Sequence, residues 1–217
     1  LILQAAKQQD FFKNPWSREF ETPEVSGQSN AYESLSWFEM PYLHGQKYSE
    51  YFERAAIEDI KNLAQKFERH FSEGLKNSKI EAIDSGIFLS KLESVRSLLT
   101  ARSDIDQRLV KHAADYLQQV PADSMPVKSC HGDFTFSNMI FCEDAIYLVD
   151  FLDSFVESPL IDLVKFRQDT FFYWSLLIEN QLPDNRSAKI IQIFNYLDSQ
   201  VFGALSDNKF VKEWYKY

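Results

Sequence analysis

The segment that decides the fold reads HGDFTFSN from His131 to Asn138, and DFLD from Asp150 to Asp153 follows twelve residues after Asn138. Two short runs, at residues 138–141 and 146–150, flank the polar turn CEDA at 142–145. This pattern predicts an antiparallel hairpin centred near Asp144, with Asn138 opposite Asp150 and the paired residues about 4.5–5.5 Å apart. We therefore expect an amide oxygen and a carboxylate to converge at the open end of the hairpin.

Oxygen ligands of this kind suit Mg²⁺, which completes its shell with water and substrate phosphates. Asp133 lies five residues before Asn138, on the loop that leads into the strand. Phosphoryl transfer needs a metal at the phosphates and a separate carboxylate that orients the attacking hydroxyl and accepts its proton. The pattern H-x-D-x-x-x-x-N, followed by Asp on the next strand, is typical of kinase catalytic loops.

These residues resemble the aminoglycoside phosphotransferase / choline kinase group of kinase-like enzymes, which has HGD where protein kinases have HRD. The metal-binding strand of that group often reads DFGD, so Asp153 matches its last acid while Leu152 replaces glycine. Pro159, Asp162 and Leu163 resemble its P-x-x-D-L stretch. Residues 38–45 (FEMPYLHG) resemble its hinge, where backbone groups hold adenine. The resemblance extends over roughly residues 4–170.

The resemblance implies that Asp133 is the catalytic base, that Asn138 and Asp150 bind the metal, and that His131 braces the loop through hydrogen bonds. Asp153 is then a candidate for a second metal or for an outer position around the first. The implied cofactors are ATP and Mg²⁺, and the implied acceptor is a hydroxyl of a small molecule such as a sugar, an amino alcohol or an aminoglycoside-like compound.

The resemblance also implies roles around these residues. Glu39, Met40 and Tyr42 would lie at the nucleotide, although Glu39 also fits a structural role and Tyr42 fits simple packing. Asp162 is expected to support the catalytic loop rather than to contact substrate. Asp153, Glu157 and Asp169 could form an acidic substrate pocket, but we prefer the interpretation that they lie on a solvated face. The aromatic residues 171–174 could form a box for a quaternary ammonium group, but we prefer core packing for them.

Helical periodicity dominates the rest of the chain. We predict a helix at residues 4–12, a loop at 14–28, a strand at Tyr32–Met40 that Pro41 ends, and an extended run at 127–131. Amphipathic stretches at residues 56–71, 88–99 and 105–120 predict three helices with a shared core, the first ending near Gly74. Ser158 and Pro159 begin a helix that runs to Ile178, and a last helix covers residues 190–201.

Together these features predict an α+β, protein-kinase-like fold in which a mostly helical C-terminal lobe contains a small β cluster that carries the site. We expect a truncated N-terminal lobe at residues 1–40, a hinge at 41–45, and the C-terminal lobe at 46–217.

Composition narrows the partners. The net charge is −9 and no run of Lys or Arg is present, which argues against nucleic acid as a partner. No stretch approaches the ~20 apolar residues that cross a bilayer, so no membrane association is expected. Cys130 and Cys142 form no metal or redox motif, which fits a reducing, cytoplasmic setting. The oligomeric state is not predicted.

Two alternatives stay open. No glycine precedes Gly27 and no strand-borne lysine precedes the first helix, so the glycine-rich loop and phosphate-binding lysine of the family would fall before Leu1. The first helix also lacks the expected Glu and offers Gln4, Gln8 and Gln9 as its nearest polar residues. Either the glycine-rich loop and the lysine lie upstream of Leu1, or the chain lacks them, and the second case predicts a catalytically silent binding or scaffold protein. A weaker alternative is a metallohydrolase that uses His131, Asp133 and Asp150, although histidines are few.

Overall fold

The computed structural model describes residues 2–29, 37–117, 124–179 and 185–214. The helices in these ranges are α1 (Ile2–Lys13), α2 (Tyr48–Arg54), α3 (Ile57–Lys76), α4 (Ser85–Thr100), α5 (Gln107–Leu117), α6 (Pro159–Phe172), α7 (Trp174–Ile178), α8 (Asn185–Leu205) and α9 (Lys209–Trp214). The strands are β1 (Gly27–Gln28), β2 (Phe38–Glu39), β3 (Lys79–Glu81), β4 (Met125–Val127), β5 (Met139–Phe141) and β6 (Ile146–Leu148). The strands form three antiparallel pairs, β1 with β2, β3 with β4, and β5 with β6.

An aromatic core lies where α3, α6 and α8 pack together. The apolar positions of α3 recur every three or four residues, so they share one face, and that face is buried. Phe67 of α3 contacts Phe166 of α6, with ring centroids 4.7 Å apart. Phe134 and Phe136 come from the HGDFTFSN segment and are fully buried in the same core. The loop that carries Asp133 is therefore anchored by two phenylalanines, and truncating such a side chain typically costs about 3–5 kcal/mol.

The hairpin of β5 and β6 forms as predicted, but its register is shifted by one residue. Met139 pairs with Leu148 and Phe141 with Ile146. The prediction that Asn138 lies opposite Asp150 was therefore wrong, because the backbone N–H of Val149 donates to the carbonyl of Asn138 at 3.0 Å. The turn closes with a hydrogen bond from Cys142 N to Ala145 O, which makes Glu143-Asp144 a two-residue loop and moves the centre of the hairpin by half a residue.

Both edges of this hairpin are paired. Gln46 exchanges two backbone hydrogen bonds with Phe141, each 2.9 Å long. On the other edge, Glu21 N donates to Ile146 O and Leu148 N donates to Glu21 O. The segment before α2 and the segment after α1 are therefore attached to the strands that position the site.

Several element boundaries differ from the predictions. The helix expected to stop near Gly74 continues to Lys76. The helix from Pro159 is interrupted at Tyr173, which adopts a left-handed φ of 57°, and α7 follows. The extended run was expected at residues 127–131, but the strand found in this region, β4, covers Met125–Val127 and ends where the predicted run begins. β1 lies within the predicted loop and pairs with β2, while residues 32–36 of the predicted Tyr32–Met40 strand lie outside the described ranges.

The shared core expected for the three amphipathic helices does not form. Of these three helices, α3 supplies buried residues to the main core, whereas α4 and α5 pack mainly against each other and α4 adds the partly buried Phe88 to the edge of the core. Ala114 is the only buried side chain among those described in these two helices. None of the helices in the described ranges combines the length and the apolar character needed to cross a bilayer.

His70 of α3 is buried between Trp16 and Phe134, with its Nδ1 2.9 Å from the hydroxyl of Ser17. Burial lowers the pKa of His70 to about 3, and the nearby His131 adds to this effect. An unfolded histidine has a pKa near 6.5, so the unfolded chain takes up a proton that the folded chain does not. Stability is therefore lost as the pH falls below about 6.5, by about 1.4 kcal/mol per pH unit for such a histidine.

We predict that His70→Phe, which keeps an aromatic ring in this space, makes the free energy of unfolding less sensitive to acid. Between pH 7 and pH 5 the wild-type protein should lose about 2 kcal/mol more than the variant. Urea denaturation at the two pH values measures the difference, and equal losses in the two proteins would contradict the assignment of a buried neutral histidine.

Candidate active site

His131 is fully buried and both of its ring nitrogens are used. Its Nε2 donates to the carbonyl of Val149 at 2.7 Å, and its Nδ1 accepts from the backbone N–H of Asp133 at 3.2 Å. Burial lowers the pKa of His131 to about 4, so the ring is neutral. The histidine thus joins the HGD loop to the end of β6, which is the bracing role expected for it.

The metallohydrolase alternative is not supported by this geometry. Neither nitrogen of His131 has a lone pair free for a metal, because one carries the donated proton and the other accepts a hydrogen bond. Within the ranges that the structure describes, no three His, Cys, Asp or Glu side chains gather into a group that could hold a metal ion.

Asp162, in the first turn of α6, holds the backbone of the same loop. Its two carboxylate oxygens accept hydrogen bonds from the N–H groups of His131 and Gly132, each at 2.7 Å. Burial raises the pKa of Asp162 to about 7, and these two hydrogen bonds oppose that rise. The prediction that Asp162 supports the loop that carries Asp133 is confirmed.

Gly132 occupies a position that other residues could not take without strain. Its φ is +86°, a conformation that side chains rarely adopt. A Cβ atom there would also collide with the carbonyl of Leu152 and the hydroxyl of Ser154. The close approach lets Leu152 N donate to His131 O at 2.9 Å, so the HGD and DFLD segments lie directly against each other.

Asp133 and Asn138 are in direct contact. The amide nitrogen of Asn138 donates to the Asp133 carbonyl at 2.9 Å and to its Oδ2 at 3.0 Å. This pattern assigns the amide nitrogen to Asp133 and leaves the amide oxygen of Asn138 as an acceptor. The other carboxylate oxygen of Asp133 lies 3.1 Å from Nζ of Lys165, and the Asp133 side chain is one quarter exposed.

Asp150 and Asp153 are both exposed. Asp150 directly follows Val149, whose N–H donates to Asn138, and it adopts a left-handed φ of 59°. Asp and Asn tolerate this conformation better than most residues. The structure therefore brings Asp133 and Asn138 into contact. Asp150 is the next residue after Val149, which is joined to Asn138 by a backbone hydrogen bond.

Lys165 was missed by the sequence reasoning. It lies three residues after Asp162 on α6, and residues at this spacing share a helix face. Since Asp162 was already expected to support the HGD loop, a residue one turn later could have been expected to face Asp133.

The acidic pocket considered from the sequence does not form. Asp169 is buried and accepts hydrogen bonds from Phe136 N at 2.5 Å and from Ser175 N at 2.7 Å. Burial raises the pKa of Asp169. Glu157 accepts from Lys7 at 2.7 Å and from Cys130 N at 2.8 Å. Both carboxylates therefore have structural partners.

Helix α1 is attached to the site through Lys7, which the sequence reasoning did not single out. Lys7 Nζ donates to the carbonyl of Leu152 at 2.6 Å as well as to Glu157. Phe11 of the same helix packs on Phe151, and Phe151 packs on the ring of His131 at 4.3 Å. The helix thus contacts the DFLD segment with a lysine and a phenylalanine.

The predicted hinge follows β2 without regular structure. Glu39 is exposed, and its carbonyl accepts from Ser26 N at 2.9 Å. The sulfur of Met40 lies 3.7 Å from the amide nitrogen of Gln8. Tyr42 is 82% exposed and touches the ring of His44, so core packing does not explain it.

The aromatic run at residues 171–174 is not the core packing that was preferred for it. Phe171, Phe172 and Trp174 are between 42% and 63% exposed. Only Tyr173 is partly buried and packed against the core. The left-handed turn at Tyr173 separates α6 from α7, which directs most of the run away from the interior.

Comparison with known proteins identifies the family of the chain. Residues 4–179 match the phosphotransferase enzyme family known as APH, a span that contains the HGD loop, Asn138 and the DFLD segment. The chain belongs to this family. No curated protein matches the sequence.

Solved structures with the fold of this APH family member include a thermostable mutant of the aminoglycoside phosphotransferase APH(4)-Ia in its apo form. That protein is 14% identical, with 93% of this chain and 78% of that chain covered and a TM-score of 0.52. The ternary complex of a thermostable mutant of the same enzyme with ADP and hygromycin B gives 14% identity, 94% and 78% coverage, and a TM-score of 0.53. The prediction of an α+β, protein-kinase-like fold is confirmed.

We predict that Asp162→Asn lowers the stability of this APH family member by about 1–3 kcal/mol, because an amide nitrogen would then face a backbone N–H donor and leave it unpaired. The shift of the urea midpoint measures the loss. Asp104→Asn is the matched control, since Asp104 is exposed and only pairs with Arg102 on the surface, so its midpoint should not move. An unchanged midpoint for Asp162→Asn would contradict the supporting role.

Proposed function

We propose that the chain is an ATP- and Mg²⁺-dependent phosphotransferase that acts on a hydroxyl of a small molecule, with Asp133 as the base and Asn138 and Asp150 as metal ligands. Membership of the APH family supports a phosphotransferase of the kinase type. The observation that carries the residue assignment is the contact between Asn138 and Asp133, in which the amide nitrogen holds the base and the amide oxygen remains for a cation.

The residues fit a magnesium ion by their chemistry. Asn138 offers a neutral oxygen and Asp150 an exposed carboxylate, both of which are ligands that Mg²⁺ prefers. Asp153 is the candidate for a second cation or for an outer position. Bound ATP would supply the phosphoryl group, and the bound Mg²⁺ would neutralise part of the charge on the phosphates.

Asp133 would orient the acceptor hydroxyl and take its proton when the phosphoryl group passes to the acceptor oxygen. Asn138 and Lys165 hold the two carboxylate oxygens, so the base is oriented before substrate arrives. His131 and Asp162 act through the backbone of the loop and keep Asp133 in place.

We place the nucleotide at the hinge, residues 41–45, between an N-terminal lobe at residues 1–40 and a helical lobe at residues 46–217. Met40 and Tyr42 are exposed there, and Tyr42 offers a ring face for adenine. Glu39 would contribute through its backbone. We expect the enzyme to work in the cytoplasm, where the free thiols of Cys130 and Cys142 stay reduced.

Asp133→Asn should lower phosphate transfer by about 10²–10⁴-fold, because the amide cannot accept the hydroxyl proton. ADP release by the full-length protein in the presence of pooled small hydroxyl compounds measures this. Asp207→Asn changes the same side chain on the α8–α9 turn, away from the site, and should keep the wild-type rate. Unchanged turnover in Asp133→Asn would remove Asp133 from the mechanism.

Asp150→Asn should abolish the Mg²⁺-dependent part of the thermal stabilisation that ATP gives, because stabilisation follows ligand affinity. Melting temperatures with ATP alone and with ATP plus Mg²⁺ separate this part. Asp133→Asn should retain the Mg²⁺-dependent shift, and Asp153→Asn should reduce it less than Asp150→Asn does. A full Mg²⁺-dependent shift in Asp150→Asn would exclude it as a ligand.

The second candidate function is a kinase-like binding or scaffold protein without turnover. The ion pair between Lys165 and Asp133 favours it, since the base already has a cationic partner. This candidate function predicts that none of the pooled small hydroxyl compounds is phosphorylated, whether or not Mg-ATP raises the melting temperature of the protein.

A further inference from the structure

An apolar cavity of about 330 Å³ lies between α4, α6, β4 and α9, and Lys165 in its wall pairs with Asp133 of the HGD loop. Its size is at the low end of the range of about 300–1,000 Å³ found for small-molecule sites. Hydrophobic side chains form nearly all of its described wall, and they include Phe88, Leu92, Val95, Phe155, Val164 and Trp214. The cavity is therefore suited to an apolar group rather than to a sugar surface covered with hydroxyls.

Lys165 connects this cavity to the candidate base. Its side chain forms part of the cavity wall, while its ammonium group lies 3.1 Å from Asp133 Oδ1. Lysine commonly places its aliphatic stem on apolar surface and its charge in a polar environment, and Lys165 does both here. A molecule in the cavity that touches this stem lies within the length of one lysine side chain of Asp133.

The charged side chains in the described wall of the cavity are all positive. Lys91 and Lys165 are the charged residues among its described lining, and no carboxylate is part of that lining. The negative charge of Asp133 is already paired with Lys165. Glu157 and Asp169, which could have formed an acidic pocket, are held by other partners. An ammonium group bound against this wall would face two lysines and would find no carboxylate in the described lining, so the charge pattern disfavours it.

We propose that this cavity receives the acceptor and selects a hydroxyl compound with an apolar body and no cationic group. The inference rests on the proposed phosphotransferase function and narrows its acceptor class, because aminoglycosides and amino alcohols carry ammonium groups that the cavity disfavours. The apolar body fills the space between α4 and α6, and the hydroxyl extends past Lys165 to Asp133. An anionic substituent is compatible with Lys91.

Binding to the cavity can be tested without nucleotide or turnover. The probe is 8-anilinonaphthalene-1-sulfonate, which combines apolar rings with one anionic group. We expect saturable fluorescence enhancement with the full-length protein, and displacement of the probe by 4-phenyl-1-butanol but not by kanamycin. Val164→Glu should weaken probe binding about tenfold or more, because it adds a carboxylate to the apolar wall.

Val164 is about half exposed, so its replacement should not prevent folding. Leu177→Glu is the matched control: Leu177 is equally exposed on α7 and is not part of the cavity wall, so probe affinity should stay at the wild-type value. Wild-type probe affinity in Val164→Glu, or displacement by kanamycin in place of the alcohol, would overturn the inference.

A second arm separates this inference from the proposed function. With Mg-ATP, kcat/KM for 4-phenyl-1-butanol should exceed that for the same alcohol bearing an aminomethyl group on the ring by about tenfold, because the added ammonium group meets two lysines and no carboxylate in the described wall. Transfer to kanamycin with equal or higher efficiency would overturn the acceptor class and leave the phosphotransferase function standing. Cavity binding that Val164→Glu weakens, without transfer to any acceptor tested, would show an apolar ligand site there but would overturn both the phosphotransferase function and the acceptor role of the cavity.

Discussion

The carboxylate of Asp162 accepts two backbone hydrogen bonds from the HGD loop, and the arrangement of the site depends on them. With His131 and Gly132 held in this way, the histidine ring reaches the carbonyl of Val149 and the glycine allows Leu152 to approach. A buried carboxylate is costly unless its oxygens are paired, so the two N–H donors and the acid stabilise each other. The loop and the first turn of α6 therefore form one rigid unit.

The aromatic core supplies the second constraint. Phe134 and Phe136 alternate with polar residues in the HGD segment and are buried against α3, α6 and α8. The buried carboxylate of Asp169 also accepts a hydrogen bond from the backbone N–H of Phe136. Because Asp133 lies next to one of these anchors and Asn138 follows the other after a short turn, the polar side chains are directed outward by the packing of the apolar ones.

Much of the fold could be predicted from residue pattern, and the errors have specific causes. The α3 and α8 helices were predicted because their apolar residues recur at helical spacing, and the β5–β6 hairpin was predicted because two short runs flank a polar turn. The hairpin register was wrong by one residue, because a turn centred on Asp144 needs an odd number of loop residues, whereas the two-residue loop Glu143-Asp144 has its centre between these two residues. The α4–α5 pair was wrongly placed in the main core, because an amphipathic face indicates burial without indicating the partner.

The sequence by itself determined the chemistry available to this protein. The order of His131, Asp133, Asn138 and Asp150 predicts a phosphotransfer loop, because that reaction needs a carboxylate base beside oxygen ligands for a metal ion. Only the tertiary structure decided which charges meet. Lys165 and Asp133 come from distant segments, and so do Lys7 and Glu157. Such pairs depend on how helices pack in space, and the local pattern of residues contains no record of that packing.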